Sequence, residues 1–194
     1  MLKHLLLACI FLGINSNIHS MEADIDDKLY ASAARGKVKR VNELLQLDAN
    51  PNHFHPIFQE SVLHAACVNG HLEIVQSLLN AGADCNVRTK NGGSRTPLMG
   101  AVYSGKLAVV RALLKKGAWV NAKCISGCTA MNAAALDDYI DIGLELLRYG
   151  ASLEGTHTSW QLKLQEALPM DLQNKKIAAL FLNQTLEDIY NKKQ

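Results

Sequence analysis

The chain has 194 residues, 48% of them hydrophobic and 20% charged, which is enough for one domain with a core of its own. Its 20 Lys and Arg against 18 Asp and Glu leave a formal charge of +2, with no long run of either sign. That balance argues against a nucleic-acid partner, and the densest basic stretch, Lys37, Lys39 and Arg40, reads as the solvated face of one helix.

At the start, Lys3 supplies the early positive charge and Leu5 to Ile14 form an almost unbroken apolar run, followed by Asn15-Ser16-Asn17. This is signal-peptide anatomy. The run is far shorter than the roughly twenty residues that cross a hydrocarbon core, so no membrane span is expected. Residues 1–20 therefore read as a signal peptide, with cleavage after Ser20 and export to a periplasmic or secreted location. The alternative is a buried or amphipathic first helix of a cytosolic protein; the absence of Asp or Glu before Glu22 counts against it. Cys9 follows Leu6-Leu7-Ala8 but lies inside the apolar run, which disfavours lipidation.

From about residue 24 to 155 the chain repeats itself. The segment Ser61 to Asn86 recurs without gaps from Thr96 to Asn121 and again from Thr129 to Glu154, and a weaker first copy places Gly36 ahead of Gly70. The copies fall at about 27–60, 61–95, 96–128 and 129–155. In each, a short helix rich in small residues precedes a second helix with an apolar stripe: Val38, Val41, Leu44 and Leu45, then Leu72, Val75, Leu78 and Leu79, then Leu107, Val110, Leu113 and Leu114. Spacings of three and four put each set on one helical face. One copy cannot bury such a stripe alone, so the copies must stack. Glycines at 70, 105, 82, 117 and 150 mark helix ends, while Asn91-Gly92-Gly93 and Ser126-Gly127 are hairpin-turn signals. Asp48 and Asp138 stand where other copies have a terminating Gly, and Gly143 sits in the Val75 column. A mid-helix Gly costs about 1 kcal/mol relative to Ala, so the fourth copy is expected to be the weakest.

Thr96-Pro97-Leu98, Leu63-His64-Ala65-Ala66, Gly70-His71-Leu72-Glu73-Ile74-Val75 and Gly82-Ala83-Asp84 resemble the ankyrin repeat closely. Pro97 and His64 each occur in only one copy. The resemblance implies an all-α solenoid of stacked helix-turn-helix hairpins with β-hairpin-like loops. Residues 156–194 then read as a degenerate capping hairpin and tail, with helices at Trp160 to Leu168 and Asp171 to Leu182 broken at Pro169, or as a separate docking motif.

No nucleotide-phosphate loop, nucleophile elbow or zinc-protease helix occurs, and no enzyme activity or cofactor is expected. His64, Cys67 and His71 have a spacing suggestive of zinc, but their repeat positions explain them as turn and core residues; the His53-x-His55 pair lacks a third ligand in sequence. Cys124 and Cys128 flank a turn and are either a disulfide in an oxidising compartment or unpaired fillers.

The ankyrin resemblance further implies a protein-binding module that uses its loop tips, Asn52 to Glu60, Val87 to Arg95 and Ala122 to Cys128. The exposed ends of its first helices would share that face: Ala34 and Arg35, Val68 and Asn69, Tyr103 and Ser104, Leu136 and Asp137. Phe54, Phe58 and Tyr103 are candidate aromatic anchors, and Arg88, Lys90, Arg95 and Lys123 candidate basic rim residues; Phe54 and Phe58 serve equally well as covers for a core beneath a long loop. The expected function is an exported, monomeric, non-catalytic adaptor that binds a protein on a concave face. The alternative is a structural or protective subunit permanently bound to an enzyme in an envelope compartment.

Overall fold

The Ser or Thr that begins each clear copy is a helix cap. In the computed structural model, which describes residues 15–167 with side chains from residue 25 onward, the hydroxyl of Ser61, Thr96 or Thr129 accepts the N–H of the residue three positions on. Ser61 and His64, and Thr129 and Asn132, complete the exchange as capping boxes. At Thr96 the third residue is Met99, which has no donor or acceptor to return, and Pro97 presets the first helical turn instead.

The described residues form nine helices: α1 (Asn15–Ala34), α2 (Val38–Gln46), α3 (Val62–Val68), α4 (Leu72–Asn80), α5 (Pro97–Tyr103), α6 (Leu107–Lys115), α7 (Ala130–Leu136), α8 (Ile140–Arg148) and α9 (Thr158–Glu166). They stack in two layers. The first helices of successive copies, α1, α3, α5 and α7, pack on one another, and so do the second helices α2, α4, α6 and α8. Between the layers lies the core, where Val41, Leu44, Val75, Leu78, Val110, Leu113, Leu146 and Leu147 are all buried, as the helical spacing requires. Ala33, Cys67 and Val102 occupy one small-residue column, completely buried where the first helices meet. No helix among the described residues is long and apolar enough to cross a membrane. The helix α1 runs unbroken past Ser20 and Met21, so the expected cleavage point falls within a helix of the full-length chain. Residues 1–14, the Asp171–Leu182 helix and the tail lie outside the described residues.

The turn between the two helices of a copy depends on a left-handed residue. Gly36, Gly70 and Gly105 have φ of 71°, 72° and 65°, and the side chain at the start of the next copy's second helix lies directly against each: a Cβ at Gly36 would come within 2.8 Å of the His71 ring, one at Gly70 within 2.5 Å of Lys106 and one at Gly105 within 2.9 Å of Tyr139. Glycine is thus required twice over, by its torsion and by its neighbour. In the fourth copy Asp138 adopts the same torsion, φ 56°. Its carboxylate meets Lys163 Nζ of α9 at 2.7 Å, so an ion pair replaces the close packing there. Asp48 likewise takes φ 64° where later copies have Gly; Asp is among the residues that tolerate this region.

A second set of contacts fixes the spacing between copies. Asn52 donates from Nδ2 to Gly82 O at 3.1 Å and accepts from Asp84 N at 2.8 Å. Asn86 does the same to Gly117 O and Trp119 N, at 3.3 and 2.7 Å, and Asn121 to Gly150 O and Ser152 N, at 2.9 and 2.8 Å. Each amide spans to the next copy and satisfies one carbonyl and one N–H that the end of a helix leaves open. On the outer layer, the nearly buried carboxylate of Glu145 in α8 takes Arg111 Nε of α6 at 3.1 Å and Arg148 of its own helix at 3.4 Å.

Gly143 has a purpose that helix propensity alone misses. A Cβ there would stand 2.6 Å from the ring of Trp160 and 3.0 Å from Leu164, both buried in α9. The missing side chain leaves the space in which Trp160 and Leu164 of α9 sit against α8. Gly143→Ala should therefore lower the thermal unfolding midpoint, although propensity alone predicts a gain of about 1 kcal/mol; a raised midpoint would mean that Trp160 does not dock there. Leu78→Ala, which empties a wholly buried position between copies, should cost about 2–5 kcal/mol in chemical denaturation, and an unchanged midpoint would contradict the stacking of α4 on its neighbours.

Candidate protein-interaction surface

The repeat register places the last turn of every first helix on the same side as the loops. Ala34, Val68, Tyr103 and Leu136 occupy one column there, and the last three are exposed, at 48%, 44% and 72%. Ala34 packs against the core and the Val68 side chain lies against Gly100, whereas Tyr103 and Leu136 stand outside the core cluster. Beside this column run Arg35, Asn69, Ser104 and Asp137. Arg35 and Asp137 are exposed. Asn69, also exposed, and Ser104 donate back to their own helices, to Ala65 O at 2.8 Å and Ala101 O at 2.7 Å.

The first loop carries an aromatic cluster. The Phe58 ring lies 6.0 Å from Tyr30 at 20° and 4.7 Å from His55, while Tyr30 and His55 are 4.5 Å apart. Phe58 thus covers Tyr30, yet 56% of it stays exposed, so it is both cover and surface. Beneath it, Tyr30 donates to Glu60 Oε1 at 2.6 Å; burial first, and then the Glu60 carboxylate, hold its pKa above the ordinary value. Phe54 is half-buried, pairs with Ser61 as an isolated antiparallel bridge, and carries Lys90 Nζ over its ring at 4.3 Å. His53 is turned away from His55 toward Asp27, with Nε2 3.0 Å from Oδ1, and its other nitrogen lies 3.8 Å from Asp26.

The other cations have distinct surroundings. Arg95 stacks over Tyr103, its guanidinium carbon 5.5 Å from the ring centroid. Lys123 pairs with Glu154 at 3.1 Å. Arg88 bridges loops: its guanidinium donates to Ser94 O, Ser94 Oγ and Lys123 O at 3.0, 3.2 and 2.9 Å. It thus holds two tips together. Lys90 N–H to Gln59 O at 2.8 Å, Asn91 Nδ2 to Phe58 O at 3.3 Å and Ile125 N–H to Gly93 O at 3.2 Å join the three tips edge to edge. Ile57 and Ile125, 81% and 75% exposed, stand at the first and third tips; sequence reasoning passed over them, although neither occupies a core column and both are large apolar residues in a polar loop. Among the described residues, no carboxylate lies within ion-pair distance of Arg35, Lys90 or Arg95. Cys124 and Cys128 carry free thiols in this structure, and Cys124 Sγ is 3.0 Å from Ser126 Oγ.

His64 bonds within its own copy and His71 to the preceding one. His64 Nδ1 lies 2.8 Å from Ser61 Oγ and its Nε2 2.9 Å from Arg95 O, so the neutral ring protonated at Nε2 satisfies both partners. His71 Nε2 reaches Ala34 O at 3.2 Å in the preceding copy. Cys67, between them in sequence, is wholly buried, and burial pushes its thiol pKa up. The three side chains have separate partners, and no group of three or more His, Cys, Asp or Glu among the described residues is arranged to hold a metal ion.

A family model for ankyrin repeats in three copies matches the chain over residues 2–91, 28–124 and 63–157. The chain belongs to the ankyrin-repeat family. Ankyrin repeats generally mediate protein–protein interaction, and the family is typically non-catalytic; this protein's stacked helices, joined tips and exposed apolar column are built on that scaffold.

Burial lowers the pKa of His64 against the opposing pull of the Arg95 carbonyl and the Glu60 carboxylate. The folded ankyrin stack therefore excludes a proton that the unfolded chain binds below about pH 6.5. The contribution of His64 is complete above that pH and is lost as pH falls through it toward the lower folded value. His64→Gln keeps the reciprocal cap but cannot titrate, so its unfolding midpoint should fall less than that of the native chain between about pH 7 and about pH 5. Parallel midpoint curves would show that His64 is not the linked group.

Proposed function

We propose that this ankyrin-repeat protein is an exported adaptor that captures a protein segment bearing apolar and acidic residues, without turnover. The observation that carries the reading is the exposed column Val68, Tyr103 and Leu136, which recurs in register and at Tyr103 and Leu136 lies outside the core. Flanking it are Arg35, Lys90 and Arg95, for which the described residues supply no carboxylate. A partner that buries the column and brings its own acids would satisfy both features. Tyr103, with Arg95 stacked over it, has the character of a binding hot spot. Ile57, Phe58 and Ile125 extend the apolar contact onto the tips, and Asp137 offers one acidic position at the far end. In this reading the stack acts as a monomer, its concave face formed by the first-helix ends and the tips, and its export rests on the leader-like residues 1–20.

The test is affinity capture from the native cell with full-length tagged protein, comparing the native chain with a Tyr103→Ala, Leu136→Ala double variant and sequencing the N-terminus of the recovered bait. Both side chains project from helix ends without supporting the core, so far-UV circular dichroism should be unchanged while recovery of a stoichiometric companion falls at least about tenfold, the equivalent of about 1.4 kcal/mol. Equal recovery by the two proteins would place binding on another face. A bait that begins near Met21 would support export, and one that retains Met1 in the cytosol would refute it.

A further inference from the structure

The third tip has a chemical feature that protein capture does not use. Cys124 and Cys128 flank the turn Ile125-Ser126-Gly127, where Cys124 N–H donates to Cys128 O at 2.9 Å and Gly127 N–H returns to Cys124 O at 3.0 Å. Gly127 closes the turn with φ of 81°. The bond from Cys124 N–H to Cys128 O, across a turn closed at Gly127, brings the two backbones to the kind of approach that a disulfide needs, with Cα atoms roughly 4.4–6.8 Å apart. Both thiols are partly exposed. The two other described cysteines are placed differently: Cys67 is in the core, and Cys85 is directed to Lys116 O at 3.5 Å.

We propose that Cys124 and Cys128 form a reversible dithiol–disulfide site that reacts with small organic disulfides of the glutathione type. In the first step the Cys124 thiolate attacks one sulfur of the incoming disulfide, forming a protein mixed disulfide and releasing one small thiolate. The Cys128 thiolate then attacks the Cys124 sulfur of that mixed disulfide, closing the Cys124–Cys128 bond and releasing the second. The two cysteine protons end on the two small thiols: the protein is oxidised by two electrons and the incoming disulfide reduced by two. Cys124 suits the role of first nucleophile. Its slight burial disfavours the thiolate, but hydrogen bonds from Ser126 and Cys128 outweigh that and lower its pKa. Closure would clamp the tip that carries Lys123 and Ile125, which Arg88 and Gly93 join to the preceding tip. The chemistry requires neither a partner protein nor export, so it stands or falls independently of the binding reading.

The experiment equilibrates the folded full-length chain with oxidised and reduced glutathione at graded ratios, quenches with an alkylating reagent and maps cysteine peptides by mass spectrometry. The expected product is a Cys124–Cys128 link that forms under conditions in which Cys85 carries at most a mixed disulfide and Cys67 is unreacted. Cys128→Ser should stop at glutathione retained on Cys124, because no resolving thiol remains. Glutathione accumulating on Cys124 and Cys128 together in the folded chain would overturn the proposal. So would a link that appears only after unfolding in urea, since the folded turn would then not be what brings the sulfurs together.

Discussion

The second copy is made of one helix of seven residues and one of nine, α3 and α4, and helices of that length are marginal by themselves in water. Each must be held by a neighbour, and the buried column from Val41 through Val75 and Val110 is where the neighbours meet. This lateral dependence governs the rest of the structure. The cap at Ser61, Thr96 or Thr129 starts a helix at a fixed point, the left-handed residue at 36, 70, 105 or 138 folds the pair shut, and stacking then buries what the pair exposes. Failure at one interface removes support from both copies that share it, because in a one-dimensional stack stability is the sum of local and nearest-neighbour contributions.

Polar contacts between copies give the stack its pitch. Apolar packing is nondirectional and would tolerate sliding, whereas the paired bonds of Asn52, Asn86 and Asn121 specify a single distance. His71 adds a link back to Ala34 of the preceding copy, and His64 ties the start of α3 to Arg95 at the end of its own copy, beside the Thr96 cap. Register matters for the surface as well as for the core. Val68, Tyr103 and Leu136 make a continuous apolar column only because each copy is offset from the last by the same amount, and the tip-to-tip bonds of Lys90, Asn91 and Ile125 keep the loops aligned with it.

What could be read from the sequence was the part that repeats. The apolar stripe and the turn glycines recur at fixed columns, so periodicity sufficed for the layers and the core, while the side expected for Tyr103 and the tips came from the resemblance to ankyrin repeats. The Asn52, Asn86 and Asn121 column was equally visible, but its meaning depends on bonds to residues about thirty positions away. Arg88 could not be distinguished from Arg95 by sequence, since both are basic residues in a loop; only the fold turns one into a bridge and stacks the other on an aromatic ring. The packing at Gly143 was not legible for a related reason: its neighbour Trp160 belongs to the element after the last clear copy, where the repeat offers no template. Phe58 was left between two roles because its sequence position shows neither its stacking on Tyr30 nor that more than half of its surface stays exposed.

The two sides of the third tip obey different constraints. Toward the core, Thr129 caps α7 and Cys128 O takes the Cys124 N–H, so the backbone there is tied to helix geometry. Away from the core, Lys123 bonds to Glu154 and its carbonyl to Arg88, which makes the tip a junction between the copies on either side. A loop free at its end could change shape without consequence. This one is held at both ends and on one flank, so tightening it transmits to the second tip through Arg88 and Gly93 and to the fourth copy through Glu154. Chemistry at Cys124 and Cys128 is therefore placed where a local covalent change is felt along the row of tips, while the helices beneath, fixed by their caps and asparagine clamps, stay where they are.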